Sequence, residues 1–298
     1  MSEPRLGGRV AIVTGASRGL GKTIATTFAA EGAAVAVVAR TEAQWDARLP
    51  GTVHDTVREI EATGGRAVAV AADLANPDDV DRLVREARAA LGPIDLLVNN
   101  AALTVPGRPP KEGAPAPQPK ASSGPADASK TSAFGPGTFM AFPLKGYRMH
   151  FEIGLFSTYR LMQLVLPDML ELGRGAIVNI SSVAAFLPGP GPYPPREPGG
   201  LTPLAYGGNK AAMQHLTQAV AWEMAPYGIA VNALMPSVPV LSPGNLLASA
   251  GTTDWGSPEE FAEATLQVAL ATPDSMTGQI LFSDDVLHPE LGVRGWLR

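Results

Sequence analysis

Cysteine is absent from the 298 residues, which excludes disulfides, thiolate nucleophiles and cysteine metal sites. Histidine is scarce: His54, His150, His215 and His288 lie far apart with no metal-ligand spacing, so no metal is expected. Positive charge is not in excess. Lys and Arg number 23 against 28 Asp and Glu, and a net charge of −5 offers no basic surface for nucleic acid. Long hydrophobic runs are missing too. The longest, 33–39, falls far short of the roughly 20 residues that span a bilayer. The short polar segment 1–8 lacks the apolar core of a signal peptide. The expectation is a soluble cytoplasmic protein with neither a membrane nor a nucleic acid as partner.

What is present is an alternation of short apolar runs with longer helical patterns. Near-continuous Val/Ile/Ala/Leu runs at 10–13, 34–38, 67–71, 94–98, 176–180, 229–234 and 279–282 fit strands buried on both faces of a parallel sheet. Helical patterns fall at 20–31, 53–62, 77–91, 146–172, 204–225 and 258–270. Asn76-Pro77-Asp78-Asp79 reads as an N-cap followed by proline and first-turn acids. The β-α-β order predicts an α/β fold: a single doubly wound domain over 1–298, with a seven-stranded, mainly parallel sheet and helices on both faces. Of the 28 prolines, nine lie in 103–146 and seven in 188–203. Both segments are poor in regular-structure signals and read as insertions, because strands continue on either side. Within the first, 111–130 is Pro/Ala/Ser/Gly-rich and reads as a flexible or polyproline-like excursion.

Chemistry enters with Thr14-Gly15-Ala16-Ser17-Arg18-Gly19-Leu20-Gly21, between the first strand and the first helix. A helix N-terminus presents unpaired N–H groups and a positive dipole end, and glycines let the backbone approach a pyrophosphate closely. Arg18 lies in this turn, and Arg40 ends the second strand without an acid at its tip. An acid there accepts from a ribose 2′-hydroxyl, whereas arginine accommodates a 2′-phosphate. The two guanidiniums therefore favour NADP(H), with NAD(H) possible, unless either is an ordinary surface charge. Tyr206-Gly207-Gly208-Asn209-Lys210 puts a phenol and an ammonium on one helix face. The ammonium is expected to lower the phenol pKa and fit it for proton transfer; a surface Tyr/Lys pair is the bland alternative. Ser181-Ser182 ends the fifth strand, where a hydroxyl can stabilise a developing alkoxide or merely cap the strand.

The Thr-Gly-x-x-x-Gly-x-Gly turn, followed in order by Ser182 and Tyr-x-x-x-Lys, resembles the short-chain dehydrogenase/reductase family over nearly the whole chain outside the Pro-rich insertions. The segment 41–64, with Leu49-Pro50-Gly51-Thr52, looks like that of hydroxysteroid dehydrogenase-like relatives. The resemblance implies a Rossmann-type fold, a catalytic set of Ser182, Tyr206 and Lys210, and hydride chemistry on a carbonyl/alcohol pair. Ser182, rather than Ser181, matches the family serine because it precedes Val183-Ala184-Ala185. The implied cofactor residues are Gly15, Ser17, Arg18, Gly19, Leu20, Gly21 and Arg40, then Asp73 with Leu74 at the adenine. Asn100 and Ala101 of Asn99-Asn100-Ala101-Ala102, Tyr206, Lys210, and the pair Pro236-Ser237 complete that set, with Ser242 a weak match for a nicotinamide contact. Helices 146–172 and 204–225 imply a homodimer or homotetramer, with the tail 286–298 docking on a neighbouring subunit. Phe134, Phe139, Met140, Phe142, Tyr147, Phe186, Leu187 and the stretch 241–247 suggest an apolar pocket for a hydrophobic substrate, or packing of the insertion onto the body.

One departure stands out. The family's helix asparagine, held to support a bulge and a water in the proton relay, falls at Gly154. An asparagine introduced there is expected to maintain or raise turnover. Two other readings stay open: a non-redox dehydratase or epimerase of the same fold, and a nucleotide-binding protein whose catalysis has weakened.

Overall fold

Seven strands form one all-parallel sheet: β1 (Val10–Thr14), β2 (Ala34–Ala39), β3 (Arg66–Ala71), β4 (Leu96–Asn99), β5 (Gly175–Ile180), β6 (Ile229–Met235) and β7 (Ile280–Phe282), in the order β3-β2-β1-β4-β5-β6-β7. The computed structural model describes residues 3–103, 139, 141–193, 204–248 and 254–291. The helices are α1 (Gly19–Ala30), α2 (Val53–Ala62), α3 (Pro77–Leu91), α4 (Leu144–Phe151), α5 (Ser157–Leu172), α6 (Leu204–Met224), α7 (Pro243–Ala248), α8 (Pro258–Ala269) and α9 (Ser283–Leu287). None of the described helices is long and apolar enough to cross a membrane. The fold is the Rossmann-type sheet expected, with every strand pairing parallel rather than most.

Strand side chains alternate between the two faces, and each face has its own core. Ala11, Val13, Val35 and Val37 pack with Ile24 and Phe28 of α1, Ile60 of α2 and Phe261 of α8. Ile12, Ala36 and Val38 pack on the other face with Leu83 of α3, Leu161 and Val165 of α5 and Met224 of α6. Helix starts follow local capping chemistry. Thr52 and Asp55 form a capping box on α2, and the Asn76 side chain accepts from Asp78 N ahead of Pro77 on α3.

The helix expected across 146–172 begins at Leu144 and is interrupted by a π turn, Glu152–Phe156, between α4 and α5. A π turn widens the backbone by one residue and leaves an extra-wide step in the ladder. Here Ser157 Oγ and Thr158 Oγ1 donate to the carbonyls of Ile153 and Gly154, at 2.7 and 3.1 Å. The excursion 111–130, Phe134, Met140 and the tail 292–298 lie outside the described residues. Of the tail, Val286 and Leu287 pack against this chain's own core, because α9 folds back beside α8.

The N-terminal ends of the strands are tied by Asp95, whose side chain is 2% exposed. It pairs with Arg9 and Arg174 and accepts from Val10 N at 2.9 Å. Breaking a buried charge network by removing one member strands the rest, a loss of about 3–5 kcal/mol. Asp95→Ala is expected to lower stability by that order in urea unfolding, with the m-value unchanged. A loss below about 1 kcal/mol, the worth of a surface pair, would place the network in the solvent-screened class.

Candidate active site

The strand order reverses direction between β1 and β4, so a crevice opens outside their carboxyl ends. The glycine turn sits at that switch point. Gly15 and Gly19 adopt positive φ (69° and 54°), and a Cβ on Gly21 would overlap the Gly15 carbonyl and lie 2.5 Å from Asn100 Nδ2. Only glycine serves there without displacing the backbone of the turn. Thr14 and Asn100 lock the turn to β4. Asn100 Nδ2 donates to Thr14 O at 2.8 Å, and Thr14 Oγ1 accepts from the backbone N–H groups of Asn100 and Ala101. Ser17 is buried. The N-cap of α1, Arg18, makes no side-chain cap bond, so no side chain covers the helix end from within.

The loop after β2 folds back over this turn. Arg18 donates from one guanidinium nitrogen to Thr41 Oγ1 and Gly51 O, both at 3.0 Å. Burial, then the charge of Arg40, pulls the Arg18 pKa down. The two cations therefore repel one another, with the Asp46 charge opposing this in part. A cavity of about 250 Å³ opens here, lined by Ser17, Arg18, Gly19, Lys22, Pro50, Gly51 and Pro243. Lys22 also pairs with Glu59 at 2.6 Å. A larger cavity of about 480 Å³ lies at the opposite, N-terminal rim around Arg9 and Asp95, far from this chemistry.

Asp73, at the end of β3, accepts from Ala75 N at 3.1 Å, and its own N–H donates to Asp79. Leu74 beside it is buried. After β6, the Ser237 side chain is tied to the turn after β7: its Oγ accepts from Asp284 N at 3.0 Å and meets Ser283 Oγ at 3.2 Å. Ser242 caps α7 by accepting from Asn245 N, while its Cβ lies 3.2 Å from where a Gly19 Cβ would stand.

The two adjacent serines separate cleanly. Ser181 is buried and accepts from Gln214 Nε2 at 2.9 Å. Ser182 N-caps the short turn Val183–Ala185 and is hydrogen-bonded to the Tyr206 phenol. Lys210, 2% exposed, donates from Nζ to the Ile180 carbonyl at 2.6 Å and lies 5.8 Å from the centre of the Tyr206 ring. The helix period thus brings Ser182, Tyr206 and Lys210 to one spot at the end of β5.

Two expectations about this site need correction. The Tyr206 pKa is not lowered within the protein alone. Burial pushes it up, and the Ser182 hydrogen bond opposes that only in part. Burial works on Lys210 as well, drawing its pKa from 10.5 to about 8. The second concerns position 154. A Cβ on Gly154 would overlap Asn209 Oδ1 and stand 3.0 Å from its Cγ. Asn209 is short, buried and tied by Nδ2 to Ala205 O at 3.1 Å, so it has little room to yield. Gly154→Asn alone is therefore expected to strain the α4–α6 contact rather than to maintain turnover.

His150 was missed as a site residue. Its ring meets that of Tyr206 edge-on at 6.3 Å and that of Phe142 at the same distance. Burial, then the Lys210 charge, holds its pKa below the usual value. The signal was available: His150 lies four residues before Gly154, in the same helical stretch 146–172. Phe142 and Tyr147 stand at this edge as expected, with Tyr147 stacked on Phe151 at 5.0 Å. Phe139, Leu187, Leu241 and Leu246 are exposed.

With the geometry in place, comparison with known proteins is informative. The sequence profile of the short chain dehydrogenase family matches residues 9–116 and 131–241. The chain is 30% identical over 287 residues to a 7alpha-hydroxysteroid dehydrogenase of Escherichia coli (strain K12), covering 93% of each. Among solved structures it is similar to 7 alpha-hydroxysteroid dehydrogenase complexed with NADH and 7-oxo glycochenodeoxycholic acid (TM-score 0.68, 29% identity, 94% of each chain). It is also similar to 3-oxoacyl (acyl-carrier-protein) reductase from Agrobacterium tumefaciens C58 with NADP bound (TM-score 0.69, 26% identity, 93% of each chain). The profile spans most of the chain and takes in the glycine turn and the Ser182, Tyr206 and Lys210 cluster, and on that match the protein belongs to the short-chain dehydrogenase/reductase family, oxidoreductases that act on CH–OH groups with NAD(P).

Proposed function

We propose that this protein interconverts a carbonyl and a secondary alcohol on a hydrophobic small molecule, with NADP(H) preferred and NAD(H) possible. The observation that carries the reading is the convergence of Ser182, Tyr206 and Lys210 at the end of β5, beside the crevice that holds the glycine turn. The residues present suit a dinucleotide. Gly15, Gly19 and Gly21 leave a cradle that a Cβ would fill, and the start of α1, with no side-chain cap bond from Arg18, leaves N–H groups that would receive an anion. Ser17, Arg18, Gly19 and Leu20 would hold the pyrophosphate, Arg18 and Arg40 a 2′-phosphate, and Asp73 and Leu74 the adenine. Asn100, Ala101, Pro236 and Ser237 would line the remainder. The chemistry a bound NADP(H) supplies is hydride transfer at the substrate carbon.

The chain's own groups manage the oxygen. The Ser182 hydroxyl donates to it, stabilising charge as the alkoxide develops. The Tyr206 phenol gives its proton to that oxygen in reduction and takes one from it in oxidation. Lys210, fixed on the Ile180 carbonyl, places a positive charge near the ring and would hold the ribose of a bound cofactor. Phe142, His150 and Tyr206 form an aromatic edge suited to an apolar substrate. The exposed Phe156, Tyr159 and Trp222 on the α5 and α6 side support a homodimer or homotetramer.

The test is a panel of carbonyls and secondary alcohols followed at the nicotinamide absorbance band. Net cofactor turnover on an apolar ketone or alcohol is the expected result; product formation with no absorbance change would turn the reading toward a dehydratase or epimerase. For the cofactor, Arg40→Ala is expected to raise the Michaelis constant for NADP(H) about 10–100-fold, the worth of a charge-assisted phosphate contact. The constant for NAD(H) should move less than about threefold, well under 1 kcal/mol. Equal shifts for both cofactors would remove Arg40 from phosphate recognition.

A further inference from the structure

Asn209 is placed more tightly than a helix-filling residue requires. It precedes Lys210 on α6 and is 2% exposed. Its Nδ2 is used by Ala205 O, but its Oδ1 is buried with no hydrogen-bond partner among the described residues. The same oxygen is pressed against Gly154, at the centre of the π turn. A buried carbonyl oxygen left unpaired costs about 1–3 kcal/mol. An apolar side chain of similar size would wedge the two helices without that cost, so packing alone does not account for a carboxamide.

A second buried atom without a partner among the described residues lies along the same seam: Nδ1 of His150, one turn before Gly154, on the residue whose ring faces Tyr206. Buried polar atoms that protein groups do not satisfy are commonly served by bound water. The π turn lies on this seam, with Gly154 at its centre.

We propose that Asn209 is a positioning residue for proton transfer: its Oδ1 accepts from a water held in the α4–α6 seam, and that water hands protons to and from Lys210 behind Tyr206. Gly154 is glycine because this carboxamide, carried by α6, occupies the volume a side chain on the π turn would take. The proton balance is simple. In reduction Tyr206 loses one proton to the substrate oxygen and regains one from Lys210, which is resupplied through the water; oxidation runs the reverse. This inference rests on the proton-transfer role proposed for Tyr206 and Lys210.

The experiment moves the carboxamide across the seam. Asn209→Ser is expected to lower kcat about 10–100-fold, the scale of a misplaced catalytic group. The NADPH dissociation constant and the substrate KM should stay within about threefold, less than 1 kcal/mol. Its solvent deuterium isotope effect on kcat should rise as proton delivery becomes limiting. Gly154→Asn alone should lose activity, and Gly154→Asn combined with Asn209→Ser should bring kcat back toward the wild-type value. If Asn209→Ser does not fold, the near-isosteric Asn209→Leu takes its place, since it keeps the volume and removes the acceptor oxygen; the same fall in kcat is expected, and an unchanged kcat in the folded variant would overturn the proposal. A folded Asn209→Ser with kcat and isotope effect unchanged would overturn the proposal, as would a folded double variant as slow as Asn209→Ser. Absence of cofactor turnover in the wild-type protein, or a Tyr206→Phe variant as fast as wild type, would instead overturn the underlying functional reading.

Discussion

Tyr206→Phe is expected to lower turnover about 10²–10⁴-fold, the range that a positioned general acid or base contributes. The change removes one oxygen and little else. The phenyl ring keeps its place between Lys210, 5.8 Å from its centre, and the edge of His150. One hydrogen bond, to Ser182, is lost, so stability should fall by only about 1 kcal/mol. Cofactor affinity should stay within about threefold of wild type, under 1 kcal/mol, because the nucleotide cradle is built from the glycine turn and the arginines. Steady-state rates, a fluorescence titration with NADPH and a thermal melt separate these effects. A variant that retains a tenth or more of wild-type turnover with its fold intact would show that the proton comes from another group, with His150 the nearest candidate.

Lys210→Met should abolish most activity and yet stabilise the protein at neutral pH. The cause is the burial that draws the lysine pKa from 10.5 to about 8. At about 1.4 kcal/mol per unit, the folded state bears a penalty near 3 kcal/mol for holding the charged form. The sign follows from proton counting. Between pH 8 and 10.5 the unfolded chain binds more protons than the folded one, so wild-type stability rises with pH across that window. Below pH 8 the penalty is complete; above 10.5 it is gone. Methionine removes the charge at every pH, while leaving the Ile180 carbonyl without the 2.6 Å donor, which takes back part of the gain. Urea unfolding at pH 7 should therefore favour Lys210→Met, and the advantage should shrink as pH is raised from 8 to 10.5. A stability difference that does not change across this window would mean that Lys210 is not held in a charge-disfavouring environment. Ketone reduction by the wild type should also decline as pH rises past about 8, as the ammonium loses its proton.

These expectations depended on features that are unevenly visible in the sequence. All seven strands could be read because each is a short, largely apolar run; the inner strands are buried on both faces of the sheet, while the edge strands β3 and β7 are only partly covered. The Thr52 cap of α2 is a finding of the structure, but α3 begins where Asn76 predicts, because N-capping is a contact within three residues. The pairing of Tyr206 with Lys210 was legible for the same reason, through helix periodicity. Choosing Ser182 over Ser181 required the family resemblance, since both hydroxyls meet α6, Ser181 at Gln214 and Ser182 at Tyr206, and only the turn after β5 decides which one reaches the tyrosine. The π turn left no local mark. The stretch 146–172 is apolar on several faces, and nothing in its composition distinguishes i+4 from i+5 bonding. The relation between Gly154 and Asn209 was hidden more deeply: the two are far apart in sequence and meet only when α4 packs on α6. The rise in the Tyr206 pKa was likewise missed, because burial is a tertiary property and the sequence displayed only the neighbouring charge.

The placement of Asp95, Arg9 and Arg174 has a consequence for anyone redesigning this enzyme. β5 alone carries six residues between Arg174 and Ser181, a rise of roughly 20 Å at about 3.3 Å per residue. Substitutions more than about 7–10 Å apart with no shared partner usually combine additively. The lower rim of the sheet, with its own cavity of about 480 Å³ around Arg9 and Asp95, is thus a place to fill and reinforce against heat. The upper rim can be recut for a different ketone, and the two sets of changes can be selected in separate libraries and merged afterwards.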